Sequence, residues 1–143
     1  AAAGLSLIDI QVYTPDRFDD VEALWRQVFP DDPPYSAAAP VIAAKAAVHP
    51  ELFLIAVADG HLAGTVLAGW DGHRGWLYKL AVAPAHRDRG IGAALVRAAE
   101  ARLAALGCAK VNLQVRAGNP AAGFWQRLGY GEEPRISFGK RIA

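Results

Sequence analysis

The sequence predicts an α/β fold, a mixed sheet carrying helices on both faces. Three observations point there. The chain has 143 residues, of which 53% are hydrophobic and 20% charged, the balance of one globular domain with a sizeable core. Apolar runs of strand length alternate with stretches at helical spacing, in the order β-α-α-β-β-β-α-β-α-β-β. Between them lies no repeat, linker or low-complexity tract, so residues 1–143 read as a single domain.

Residues 5–13 (LSLIDIQVY) are β-rich with partial alternation and form the first strand, closed by Thr14-Pro15. Val21, Leu24, Trp25 and Val28 recur at helical spacing, so a helix starts near Asp19 and ends before Pro30. Three prolines among residues 30–34 (PDDPP) force a loop. An alanine-rich helix follows at residues 41–48, and its low side-chain bulk suits a mobile cover better than a core element. Residues 52–58 (LFLIAVA) read as a buried strand, Asp59-Gly60 as a two-residue hairpin turn, and residues 61–70 as the returning strand with a bulge site at Gly64. The turn DGHRG at 71–75 leads into the central strand, residues 76–82, which Pro84 stops. From Ile91 the pattern is helical, with Ile91, Leu95, Ala99, Leu103 and Leu106 on one stripe, Arg97, Glu100 and Ala104 opposite, and Gly107 as the left-handed stop. Residues 110–116 (KVNLQVR) alternate as another strand. Asn119-Pro120 caps a short helix, 121–128, ending at Gly129, and Tyr130 begins a last pair of short strands that includes residues 136–142.

Composition narrows the function. Lys plus Arg number 15 against 14 acids, a formal charge of +1, so nothing calls for a nucleic-acid partner. The apolar runs are too short to span a bilayer, and Ala1-Ala2-Ala3 lacks the basic start and apolar core of a secretory leader. With a single cysteine, Cys108, no internal disulfide forms, which suits a reducing, cytoplasmic setting. Cys108 itself follows a helix end and reads as a small buried apolar residue. No metal-ligand spacing is present.

The chemistry-bearing stretch is residues 87–92, Arg-Asp-Arg-Gly-Ile-Gly, set between the central strand and the long helix. Backbone N–H groups at a helix start have no intrahelical partners, the helix dipole favours negative charge, and glycine lets a phosphate approach the main chain. His86, Arg87 and Arg89 add positive charge. The spacing is neither G-x-G-x-x-G nor a Walker loop, which would need Gly-Lys-Ser/Thr.

The order Arg-x-x-Gly-x-Gly, carried by Arg87, Gly90 and Gly92, resembles the acyl-CoA loop of the GNAT superfamily of N-acetyltransferases. Asn119, Ala122, Leu128, Gly129 and Tyr130 similarly resemble that family's Asn-x-x-Ala…Tyr-x-x-Leu-Gly-Phe/Tyr segment, one residue shorter than its usual spacing. The turn at 71–75 and the ending Gly139-Lys140-Arg141 are similar to the small bacterial YpeA-type branch. The resemblance covers essentially the whole chain. It implies a twisted, mostly antiparallel sheet with a splayed central strand pair, acetyl-CoA as cosubstrate and an amine as acceptor, in a monomer or homodimer. It further implies that Arg87, Asp88, Arg89, Gly90, Ile91 and Gly92 hold the pyrophosphate. Leu80, Ala81 and Val82 would align the pantetheine arm by strand addition, a backbone N–H near Val82 facing the thioester oxygen. Asn119, Phe124 and Trp125 would border the cofactor.

The sequence departs from those relatives where protons move. Residues 76–79 (WLYK) hold no carboxylate where many members carry a general base, and Trp125 stands where many carry a tyrosine acid. Asp71, His73, Tyr78 and Tyr130 are the remaining catalytic candidates, while Trp25, Phe29, Trp70, Trp76 and Tyr78 are candidates for lining an acceptor pocket. Asp31, Asp32 and Asp71 would either attract a cationic acceptor or keep loops soluble. Deprotonating a lysine side chain at pH 7 costs roughly 4.6 kcal/mol, an α-amine only about 1–1.4 kcal/mol, so a site without a strong base favours the low-pKa amine. Two readings compete: an acetyl-CoA-dependent N-acetyltransferase, and a non-catalytic acyl-CoA-binding or sensing domain. A third, acetylation of RNA, lacks the basic surface.

Overall fold

The computed structural model describes residues 7–143. By its contacts the chain divides into two compact units, with the boundary between Leu113 and Gln114. The larger unit contains β1 (Ile8–Val12), α1 (Phe18–Val28), α2 (Ala38–Lys45), β2 (Phe53–Ala58), β3 (His61–Trp70), β4 (Gly75–Val82), α3 (Ile91–Ala105) and β5 (Val111–Asn112). The smaller contains α4 (Ala122–Arg127). Of the expected first strand, residues 5 and 6 lie outside the described residues.

The five strands lie in sequence order, β1 to β4 antiparallel and β5 parallel to β4. All six residues of β2 are buried, because both faces of the sheet are covered; that is why the run reads as continuously apolar. On one face Val21, Leu24 and Trp25 of α1 and Ala38 of α2 pack against Phe53, Ile55, Val57, Leu67 and Ala81. On the other, α3 packs against the sheet, and its Ile91, Leu95, Ala99 and Leu103 are at most 1% exposed. Burying each large aliphatic side chain stabilises the fold by about 1.5–3 kcal/mol.

Asp59 and Gly60, at φ 55° and 79°, form the tight hairpin turn whose backbone twist matches that of the strands it joins. Two bulges bend the sheet. Ala56 faces Gly64 while Val57 faces Leu62, so Ala63 is the extra residue beside the expected bulge site. Thr65 faces Ala81 and Leu67 faces Tyr78, which sets Lys79 and Leu80 against the single residue Val66. A Cβ on Gly64 would meet the Ala81 carbonyl oxygen at 2.7 Å, so only glycine permits this approach of β3 to β4.

Several expectations need correction. The second helix starts at Ala38, not Val41: Pro40 sits in its first turn, where a missing N–H costs nothing. It is no bare cover, since Ala38 is 3% exposed within the core. Leu106 is exposed, because α3 ends at Ala105 and Gly107 (φ 97°) turns the chain before the stripe completes another turn. Cys108 is only partly buried, its thiol donating to the Lys110 carbonyl at 3.2 Å.

The expected strand at 110–116 is paired only at Val111 and Asn112. No strand forms within residues 130–143, where Ile136, Phe138 and Ile142 are 84–93% exposed and the Arg135 N–H makes a local turn with Glu133 O. Alternation prepares a strand, but a ladder needs a neighbour, and these residues are not in one. Helix α4 keeps its expected place. Asn119 Oδ1 accepts the Ala121 N–H at 2.8 Å, and the N–H groups of Gly129 and Tyr130 return to Gln126 and Trp125 to close its end.

Candidate active site

Strand β4 positions the site in the larger unit. Among the described residues, β5 pairs with it only at Gly75–Val111 and Trp76–Asn112, so the ladder between the two strands ends at Trp76. Ala83 N–H bonds to Ala63 O on the β3 side at 2.8 Å. Strand alternation therefore turns the N–H and C=O of Val82 to the edge away from β3. There the Val82 carbonyl accepts Arg87 Nε–H at 3.4 Å.

The turn after β4 brings its residues together as their types suggest. Asp88 (φ 62°) and Gly90 (φ 75°) are left-handed, which folds successive N–H groups into an anion-binding concavity. Gly90 precedes α3 with no side-chain cap, and the first turn of α3 holds no acid, so its N–H groups and dipole are left to a ligand. A Cβ on Gly90 would meet nothing within 4 Å, leaving open space above the turn, while Gly92 is buried in the helix. Arg87 and Asp88 are exposed. Arg89 is held back: Nη1 lies 2.7 Å from His86 Nδ1, and Nη2 lies 3.7 Å from the Asp59 carboxylate. These residues fit a pyrophosphate.

The proton-handling candidates fare differently. Asp71 Oδ1 accepts the N–H groups of Arg74 at 2.7 Å and His73 at 2.8 Å, which builds the hairpin turn. Those N–H bonds hold its carboxyl below the usual range and make it a weaker base. Arg74 Nη1 lies 2.7 Å from His73 Nε2, so that ring nitrogen is engaged. Both residues precede Gly75, and the bulge at Lys79 is four strand residues further on, about 13 Å. Tyr78 is half-exposed beside the bulge; burial, then the Asp71 charge, push its phenol up, so at neutral pH it is a donor. Of the expected pocket residues, Trp70 and Trp76 are half-buried, as is Phe29. Trp25 is a correction to the pocket: it is 3% exposed in the core, its ring 5.9 Å from Phe53.

In the smaller unit, Phe124 and Trp125 meet edge to face with centroids 5.1 Å apart, and Trp125 meets Tyr130 at 5.3 Å. Trp125 is 9% exposed.

Sequence reasoning missed Lys79. It faces the α1 side with its ammonium on the Asp32 carboxylate, 2.8 Å from the Ser36 carbonyl oxygen. Its only trace in the sequence is a lysine that interrupts the apolar run of β4.

Residues 17–130 match the acetyltransferase (GNAT) family. The chain belongs to that family. It is 38% identical over 140 residues to an acetyltransferase of Yersinia pestis (strain Pestoides F), covering 94% of this chain and 96% of that one. An acetyltransferase of Pectobacterium atrosepticum matches at the same identity and coverage. Among solved structures, an aminoglycoside N-acetyltransferase, AAC(6')-Iy, in complex with CoA shares the fold at TM-score 0.76 and 22% identity, over 96% of this chain and 97% of that one. The GNAT member described here is thus an N-acetyltransferase of bacterial type. Among the described residues no group of three or more His, Cys, Asp or Glu could hold a metal, and no helix is long and apolar enough to cross a membrane.

Proposed function

We propose that this GNAT member moves the acetyl group of acetyl-CoA, its cosubstrate, directly to a primary amine of a small molecule, peptide or protein in a ternary complex. The supporting observation is β4, whose ladder to β5 ends at Trp76 and which runs on into an uncapped, glycine-bearing helix start. In this reading residues 1–143 are one catalytic domain working in the cytoplasm as a monomer or homodimer. The family match runs across the boundary between the two units, which supports that reading.

Arg87 and the N–H groups of residues 88–92 take the pyrophosphate; Leu80, Ala81 and Val82 offer their edge to the pantetheine amides. The Val82 N–H aims at the carbonyl oxygen, where losing one such donor costs about 10²–10³ in rate in other acyl transferases. Tyr78, protonated at neutral pH, is the donor on the acceptor side, with Trp70, Trp76 and Phe29 as apolar lining. With Asp71 and His73 committed to a turn, the acceptor reaching the site as free base is the economical case. That favours an α-amine over a lysine side chain.

Screening amines for acetyl-CoA-dependent thiol release tests this. Release is expected with low-pKa primary amines. Acetyl-CoA binding without release for any amine overturns the enzymatic reading, and absence of binding overturns the assignment of the turn.

A further inference from the structure

The bulge in β4 is held by side chains from three other elements. Lys79 adopts φ 53° although it is not glycine, a conformation that persists only where its surroundings over-determine it. Its carbonyl oxygen accepts the Thr65 hydroxyl at 2.8 Å, and that hydroxyl in turn accepts Trp25 Nε1–H at 2.9 Å. Thr65 is fully buried, so its two hydrogen bonds form without competing water. At the other end of the residue the ammonium meets Asp32 and the Ser36 carbonyl, and lies 5.1 Å and 5.0 Å from the ring centroids of Trp25 and Phe29. An ammonium between two aromatic faces and a carboxylate is a strong clamp. Asp32 and Ser36 belong to the proline-rich connection between α1 and α2.

We infer that Thr65 and Lys79 are positioning residues for acyl transfer. Thr65 aims the bulge peptide, and Lys79 ties the connection at 29–37 to that same peptide. The geometry of the first part is covalent. In a trans peptide the C=O of Lys79 and the N–H of Leu80 point in opposite directions, so fixing the carbonyl on Thr65 fixes the Leu80 N–H away from it. That peptide starts the 80–82 edge which the proposed acyl donor would pair with; this inference rests on that reading. The second part makes the acceptor-side wall and the donor-side strand one rigid piece. It also neutralises Asp32, so that this wall does not select for a cationic acceptor by charge.

Full-chain variants test it. Thr65→Val keeps the shape and removes the hydroxyl, and Thr65→Ser returns it. Lys79→Met keeps an unbranched chain over the two rings and removes the charge. Misplacing a reacting group by about an ångström costs about 10²-fold in rate. With the best amine from the screen, Thr65→Val is therefore expected to lower kcat by about that factor, with the acetyl-CoA KM little changed, and Thr65→Ser to restore most of it. Lys79→Met is expected to raise the acceptor KM more than the acetyl-CoA KM. Amide NMR of the protein alone gives a readout that needs no turnover. Thr65→Val should shift the Leu80 resonance, and Lys79→Met those of Asp32 and Ser36. Lowered melting temperatures with unchanged spectra at these residues, or with unchanged kcat and KM, would overturn the inference and leave the enzymatic reading standing. A wild-type protein that binds no acetyl-CoA would instead defeat the enzymatic reading, and the spectra would still decide whether the bulge is held this way.

Discussion

Strand β4 and residues 130–143 are both short runs bearing aromatic and β-branched residues, bounded by glycine and proline, yet only β4 sits in a ladder. β4 follows β3 through a turn that Asp71 ties with its own carboxylate, so its partner is delivered by the adjacent chain. Its inner residues Leu77 and Ala81 are then buried, at 5% and 2% exposure. Residues 130–143 have no such neighbour in sequence, and Ile136, Phe138 and Ile142 stay in solvent. The lesson is that an apolar, alternating run becomes a strand when a local device brings the pairing edge to it. Composition alone leaves the outcome open.

Breaking the approach of β3 to β4 should have the largest effect. Gly64→Val places a branched side chain against the Ala81 carbonyl, where a Cβ would stand at 2.7 Å and backbone cannot give way cheaply. A loss of more than about 3 kcal/mol is expected by denaturant unfolding, at the upper end of overpacking effects. A variant as stable as wild type would mean that the strand pair is not as tight as described.

Gly90→Val should act less on the fold and more on the ligand. Nothing stands within 4 Å of the added Cβ, so the stability loss is that of forcing a β-branched residue to φ 75°, about 1–3 kcal/mol. The open space above Gly90 is where the phosphate is proposed to sit, so acetyl-CoA affinity should fall at least about tenfold, near 1.4 kcal/mol, by calorimetry. Unchanged affinity in a folded variant would remove this turn from the site.

Phe138→Ser marks the other side of the comparison. A side chain 92% exposed loses little on truncation, so stability should stay within about 0.5 kcal/mol of wild type. A larger loss by thermal unfolding would show that the C-terminal run is packed after all, and would erase the contrast with β4.

Much of the proposed site rests on local patterns in the residues themselves. Arg87, Gly90 and Gly92 are readable because a glycine-bearing turn before a helix is a local arrangement, decided by backbone conformation within a few residues. Asn119 is legible for the same reason, and its side chain does cap the turn before α4. Asp71 and His73, named as catalytic candidates, stand in a hairpin turn, and a carboxylate that ties a turn and a carboxylate poised as a base have the same spelling. Only the N–H groups of His73 and Arg74 around Asp71 tell them apart. Trp25 looked like pocket lining and is core, since an aromatic at helical spacing does not reveal what its face meets.

From the sequence by itself come the order of elements as far as α4, the hairpin at Asp59-Gly60, the turn at 87–92, the stripe of α3 and the family resemblance. Each rests on spacing, turn chemistry or a short motif, and so on interactions between near neighbours in the chain. Tertiary structure alone decided the bulge at Lys79 and the burial of Trp25. It also set the carboxylate of Asp32 against an ammonium 47 residues away. Those depend on which distant groups meet, and a side chain such as Lys79 acquires its role from the partners that the fold places around it.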